Sequence, residues 1–333
     1  MPNLAIVIPA YKAKYFGETL SSLANQTNGD FNVYIGDDCS PYDLVTIVNQ
    51  YTDRLNITYK RFSNNIGAKN IVDQWNRCVQ LIKDEQWIWL FSDDDLMDPG
   101  CVDLFYQNLT IYNDKLAFRF NVNRITIKGE IIPGIIDYPV VEHCEDLIYH
   151  ILTLKGGHGL VDHVYNAKAL RARGGFVNTD YAQGADWATS ILMALPEGLV
   201  NMKEASVYWR MSLSNISSQA SSGKRSAMLK GHIQFLDWVY HYYKNQGYLK
   251  TGYSKLAENK LSDLLKFNFE LVVNMHYRGI SIRGILKFKK KLGLLFDLTP
   301  VQTIRYLFRL YINNNPRVRY LHGLFRRKKR IFS

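Results

Sequence analysis

The chain has 333 residues, 47% hydrophobic and 21% charged; it is long enough for a sizeable core in one or two domains and too apolar to be disordered. Four scattered cysteines with no CxxC pair exclude a disulfide scaffold and a cysteine-built metal site. The net charge of +11 belongs to one end: from Arg278 to Arg330 fifteen basic residues face one acid, Asp297, which leaves residues 1–277 at −3.

The first third alternates strand and helix. Leu4–Ile8 is an apolar strand closed by Pro9, and Phe16, Leu20, Leu23 and Ala24 fall at helical spacing between Tyr15 and Gln26. Phe31–Gly36 is a second strand, running into Asp37, Asp38, Cys39, Ser40 and Pro41. Ser40, Pro41 and Asp43 are the expected N-cap, first position and capping-box acid of a helix to Tyr51. Ile57–Phe62 is a third strand, and Asn64–Gly67 a turn before a helix to Ile82.

Strand four, Gln86–Ser92, releases Asp93, Asp94 and Asp95 at its end. In extended backbone Asp93 and Asp95 share a face, and such neighbouring anions repel unless a divalent cation offsets them. The two are therefore expected metal ligands. Asp98 and Pro99 read as the N-cap and first turn of the next helix.

Four strands separated by helices predict a doubly wound, mostly parallel α/β sheet, whose ligands sit at the carboxyl ends of the strands. Pro9, Ala10, Tyr11, Asp37, Asp38, Asn65, Gly67 and Asp93–Asp95 all fall on that edge. No GxxxxGK[ST] or GxGxxG loop is present, so phosphate would be bound through a carboxylate-held metal.

The middle third predicts strands at Leu116–Ile127, Val161–Tyr165 and Val207–Arg210, and helices at Glu142–Leu154, from Lys168 to the break at Gly174, and from Gly184 to Leu195. His158 and His163 flank a glycine-rich loop as lesser candidates for a metal or phosphate. Arg210 ends its strand near the expected site, where it either neutralises a diphosphate or forms a structural ion pair. Ser and Gly at residues 220–223 mark a linker to long helices, Arg225–Gly247 and Gly252–Tyr277. The expected boundaries are a catalytic domain at 1–220, with a nucleotide half to about residue 110 and an acceptor half from 111 to 220, and a helical region at 224–333. In the last of these, Ile285, Phe288, Leu292 and Leu295 form one apolar stripe, and Val301, Ile304, Phe308 and Tyr311 another, each beside basic residues. Such helices suit an anionic membrane surface. No nucleic-acid-reading motif accompanies the charge.

Taken in order, Val7–Tyr11, Asp37–Ser40, Asn65–Gly67 with Asn70, Asp93–Asp95, and Gly174–Phe176 followed by Asp186 resemble family 2 of the inverting, nucleotide-sugar-dependent glycosyltransferases, across residues 4–195. Trp209–Ser212 with Asn215–Ser217 is similar to bacterial members that build surface polysaccharides. The resemblance implies a GT-A fold. It implies a base pocket at Pro9, Ala10 and Tyr11, a uracil or ribose contact from Asp37 or Asp38, and Asp93 near the ribose or sugar. It also implies Mn²⁺ or Mg²⁺ on Asp95 and a general base at Asp186. Asn65, Gly67 and Asp94 fall on the same donor edge, and Asn70 reads as a structural residue. The chain departs from the family pattern at Ala185, where many members carry an acid, and lacks the Gln-x-x-Arg-Trp signature of processive synthases.

The expected activity is transfer of one sugar from a UDP-sugar to a lipid-linked, lipopolysaccharide or capsule glycan. The first strand begins almost at Met1 and no apolar run approaches ~20 residues, so the expected location is cytoplasmic and peripheral on the inner membrane face. Two alternatives are weighed against this. A sugar-phosphate nucleotidyltransferase would carry a glycine-rich loop after strand one, which Pro9–Ala13 lacks; a catalytically inactive nucleotide-binding scaffold would bind donor without turnover.

Overall fold

The computed structural model describes residues 3–134, 138–155, 159–212, 222–245, 260–276 and 280–315. It divides into two compact units, one of Met1–Ile151 with Lys155–Leu213, the other of Leu152–Leu154 with Ser214–Ser333. His158, Asn215–Ser217, the linker positions up to 221 and the basic residues after 315 lie outside the described residues.

The first unit opens as β1 (Leu4–Ala10), α1 (Phe16–Ala24), β2 (Phe31–Asp37), α2 (Leu44–Asn49), β3 (Ile57–Arg61), α3 (Ile71–Val79) and β4 (Trp87–Leu90). These four strands pair in parallel in the order β3-β2-β1-β4. β1 is buried on both faces, as its unbroken apolar run requires. Then follow β5 (Leu96–Met97), α4 (Cys101–Ile111), β6 (Ala117–Thr126), β7 (Ile131–Ile132), β8 (Val141–Glu142), α5 (Cys144–Thr153), β9 (His163–Asn166), α6 (Ala167–Ala172), α7 (Ala185–Met193) and the 13-residue β10 (Leu199–Met211).

One ten-stranded sheet results, continuing past β4 as β9-β6-β10-β5, with β7 on β6 and β8 on β10. The long ladders are parallel, including β6 on β10; the antiparallel ones are short and seat β9 between β4 and β6. The core centres on Trp89, stacked on Phe120 at 4.5 Å, with its indole N–H donated to the Val161 carbonyl.

Two expected caps differ. Asp43, not Ser40, caps α2, because the Ser40 hydroxyl donates to the Tyr11 carbonyl at 2.7 Å. Gly100 is the N-cap of α4, because the Asp98 carboxylate accepts from Ser206 N at 2.8 Å and the Tyr208 hydroxyl at 2.6 Å, joining β5 to β10. In both cases a partner distant in sequence outcompetes the local cap.

The second unit packs α8 (Ser222–Asn245), α9 (Leu261–His276), α10 (Ile282–Leu286), α11 (Lys289–Leu295) and α12 (Pro300–Asn314). The first predicted stripe is buried in this unit at Ile285, Leu292 and Leu295 and half-buried at Phe288. It is therefore not a surface for a membrane, contrary to the sequence expectation. Of the two predicted stripes only the one on α12 faces outward.

Candidate active site

The parallel register brings the ends of β1 and β2 side by side, with Pro9 opposite Gly36 and Ala10 opposite Asp37. Tyr11, the next residue, is 41% exposed at this edge. The loop is pinned by Asp93: one carboxylate oxygen accepts from the backbone N–H of Tyr11 at 2.8 Å and of Lys12 at 2.6 Å. The Lys12 ammonium lies 3.2 Å from the other oxygen of Asp93 and bonds Asp94. Burial alone would lower the Lys12 pKa, but Asp93 and Asp94 raise it. Lys12 is the counter-charge that the reading of the acidic triplet overlooked; its signal was its place directly after the first strand.

Asp37 and Asp38, expected to meet uracil or ribose, are turned into the protein. Asp37 is fully buried and accepts from Ser40 N at 2.7 Å, the Tyr59 hydroxyl at 2.5 Å and Arg61 at 2.8 Å. Asp38 accepts from Ile66 N at 2.9 Å, Gly67 N at 2.8 Å and Arg77 at 2.6 Å. They build the edge rather than face it. Asn65 closes its own turn by accepting from Ala68 N at 2.8 Å, and Asn70 caps α3.

Gly67 is required by this arrangement, since a Cβ there would stand 2.5 Å from Asp38 Oδ2, on a carboxylate whose other oxygen is held by Arg77 and Ile66 N. Gly67→Ala is accordingly expected to cost ~1–3 kcal/mol, read as a lower urea midpoint.

Asp93 and Asp95 do not share a face, because the triplet lies in a bend beyond β4. Asp93 turns to the β1 loop, whereas Asp95 accepts from Arg210 N at 2.7 Å. The Arg210 side chain is 2% exposed, donates to the Asp94 carbonyl at 2.7 Å, pairs with Glu18 at 2.7 Å and lies over the Tyr15 ring. Of the two roles weighed for Arg210, the structure places it in the ion pair; it clamps the triplet from behind.

Among the described residues, no three His, Cys, Asp or Glu side chains form a metal cage. A cation here would draw its remaining ligands from a substrate, as Mg²⁺ does with one or two carboxylates and phosphate oxygens. The donor set fits that use: it offers only hard oxygens, and it is short of positive charge. Burial, then the charge of Asp94, push the Asp95 carboxyl up to about 7 against the pull of Arg210 N–H and Ser92. Burial likewise raises Asp93, with Lys12 opposing and Asp94 adding.

Asp186 stands in the first turn of α7, half-buried, its carboxylate accepting from Trp187 N at 3.0 Å. Burial pushes its carboxyl up to about 6, with the Asp162 charge adding and His163 opposing. Sequence reading named His163 but missed Asp162. One Asp162 oxygen accepts from Gly159 N and lies 3.0 Å from His163 Nδ1; the other is buried with no hydrogen-bond partner. The His163 ring stacks on Tyr165. A carboxyl poised near 6 can accept a proton at neutral pH.

Residues 5–124 match the model of the family described as glycosyl transferase family 2. A stretch of 98 residues is 33% identical to a poly(ribitol-phosphate) β-N-acetylglucosaminyltransferase, TarS, of Staphylococcus aureus, covering 28% of this chain and 16% of that protein's length. Residues 1–349 of S. aureus TarS, solved with UDP-GlcNAc, superpose with a TM-score of 0.57 at 17% identity, over 96% of this chain and 92% of that one. A mannosyltransferase of Pyrobaculum calidifontis, solved with GDP-Man and Mn²⁺, gives a TM-score of 0.51 at 12% identity, over 94% and 87%. At these identities the structural likeness establishes a shared fold.

Proposed function

We propose that this chain, whose residues 5–124 match the model of glycosyl transferase family 2 and whose fold is GT-A-like, is an inverting, divalent-cation-dependent glycosyltransferase. It moves one sugar from a UDP-sugar to a hydroxyl of a lipid-linked, lipopolysaccharide or capsule glycan presented at an anionic membrane surface. The exposed Tyr11 ring and the Pro9–Ala10 backbone frame the base. Asp95 would hold Mn²⁺ or Mg²⁺, which when bound supplies charge to neutralise the departing diphosphate, while Asp93 pins the β1 loop.

Asp186 takes the proton from the acceptor hydroxyl. The hydroxyl oxygen bonds to the anomeric carbon from the face opposite the leaving group, the bond from that carbon to the phosphate oxygen breaks, and UDP departs with its electron pair. Lys12 and Arg210 keep the acidic edge intact, one as counter-ion and one as a buried brace.

The observation that carries this reading is the way the strands of the matched domain end together. Asp93 ties the β4 end to the β1 loop, and Asp38 ties the β2 end to the Asn65–Gly67 turn. The result is a single edge braced by buried carboxylates, with the exposed Tyr11 beside it. The test is a panel of UDP- and GDP-sugars incubated with the protein and Mn²⁺, followed by released nucleoside diphosphate. Release from a UDP-sugar that stops in EDTA is expected. Release from none of them overturns the proposal, and pyrophosphate formed from a sugar phosphate and a nucleoside triphosphate would make the protein a nucleotidyltransferase.

A further inference from the structure

Helix α12 has two apolar faces. Thr303, Leu307, Leu310 and Asn314 are buried in the helical unit, and the helix is well founded, with Pro300 in its first turn and a Thr299–Gln302 capping box. On the opposite side Val301, Ile304 and Phe308 repeat at helical spacing and are 59%, 38% and 45% exposed. Leu294 of α11, the helix packed beside it, is 54% exposed. Water thus meets a contiguous run of large apolar side chains on a helix that already has a core face.

The charges around this run are mostly positive, with Asp297 in the connection between the two helices as an exception. Arg305 and Arg309 are exposed beside it, α11 begins with Lys289, Lys290 and Lys291, and neither helix contains an acid. Lys291 is occupied by Asp237 at 2.8 Å. The sequence that follows α12 continues basic, through Arg317 and Arg319 to Arg326–Arg330. An apolar stripe flanked by arginines on a helix lying at a surface matches the interior and headgroups of an anionic bilayer. A second copy of the chain would bring the same positive charge to the contact, and so is disfavoured.

We propose that the Val301–Ile304–Phe308 face of α12 is a membrane-docking surface, seated in anionic lipid with Arg305 and Arg309 at the headgroups. The inference deepens the membrane part of the proposed function, and its test is separable from that of the sugar transfer.

The test is sedimentation of the full chain with vesicles of mixed phosphatidylglycerol and phosphatidylcholine, against phosphatidylcholine alone. The protein should pellet with the first and not the second, and increasingly less as salt rises. Arg305→Gln with Arg309→Gln should weaken partition about thirtyfold, and Ile304→Ser with Phe308→Ser more than about tenfold. Both variants should keep the wild-type melting temperature and its UDP release with a soluble acceptor. Equal pelleting with both vesicle types, or variants that pellet like wild type, overturns the proposal. So does a concentration-dependent dimer that Ile304→Ser dissolves, which would assign the face to self-association. Lipid binding without UDP release would overturn the sugar-transfer reading alone.

Discussion

Asp186→Asn is expected to reduce turnover by ~10²–10⁴-fold while donor binding stays close to wild type and the melting temperature at neutral pH does not fall, because the buried charge is removed. Asparagine keeps an oxygen that can accept from Trp187 N, so a carboxylate that merely braced the start of α7 would survive the change. The helix does not depend on Asp186 for its cap, since Gly184 occupies that position with φ 73°. What the substitution removes is proton affinity.

The pH profile gives the same prediction a sign. A base must be ionised, and burial holds this carboxyl near 6, so kcat/KM should fall as pH drops through about 6. Asp162 raises that value and His163 lowers it. Asp162→Asn should therefore move the acidic limb to lower pH, and His163→Gln should move it higher. The partnerless oxygen of Asp162 makes this test selective, because replacing that oxygen by an amide removes charge without deleting a hydrogen bond made through it. Limbs that stay in place in both variants would remove Asp162 and His163 from the proton balance.

How much of this was legible in the sequence follows from the range of the interactions concerned. The alternation of β1 to β4 with helices is written in local periodicity, and the sheet edge at Tyr11, Asp38 and Asp93 follows from it through topology alone. Asp93 and Asp95 were legible as a charged rim but not as two side chains facing different neighbours, because the bend beyond β4 is set by contacts to Lys12 and Arg210 far along the chain. Strands β5, β7 and β8, two residues each, are too short for any pattern. The first half of β10 was hidden by exposed Lys203 and Glu204 at a register shift between Met202 and Ser206. Asp98 shows the limit most clearly: Asp-Pro before a helical run has every local mark of a cap, yet the carboxylate is drawn to Tyr208 across the sheet. On the helical unit, sequence gave the amphipathic stripes but not which one would be consumed by packing.

Asp95→Asn should abolish Mn²⁺-dependent UDP release and, in EDTA, make the protein more stable. The two effects together separate a carboxylate kept for cation binding from one kept to accept Arg210 N–H. Asp95 is held at about 7 against an ordinary value of 3.8. Between those values the folded chain holds a proton that the unfolded chain has lost. Stability therefore falls as pH rises from about 4 to about 7 and remains low above it, by up to about 4 kcal/mol. Asparagine can still accept from Arg210 N but has no charge to bury, so the variant should escape this loss. Its melting temperature should match wild type near pH 4 and exceed it at pH 8. A structural cap makes the opposite forecast, since losing a charge-assisted hydrogen bond would destabilise the variant by ~1.5–3 kcal/mol at neutral pH. Addition of Mn²⁺ should then raise the melting temperature of wild type and leave the variant unmoved, because a cation stabilises only the fold that binds it. A variant that is less stable in EDTA and still gains from Mn²⁺ would take the cation away from Asp95, and the reason for three carboxylates at the end of β4 would have to be sought elsewhere.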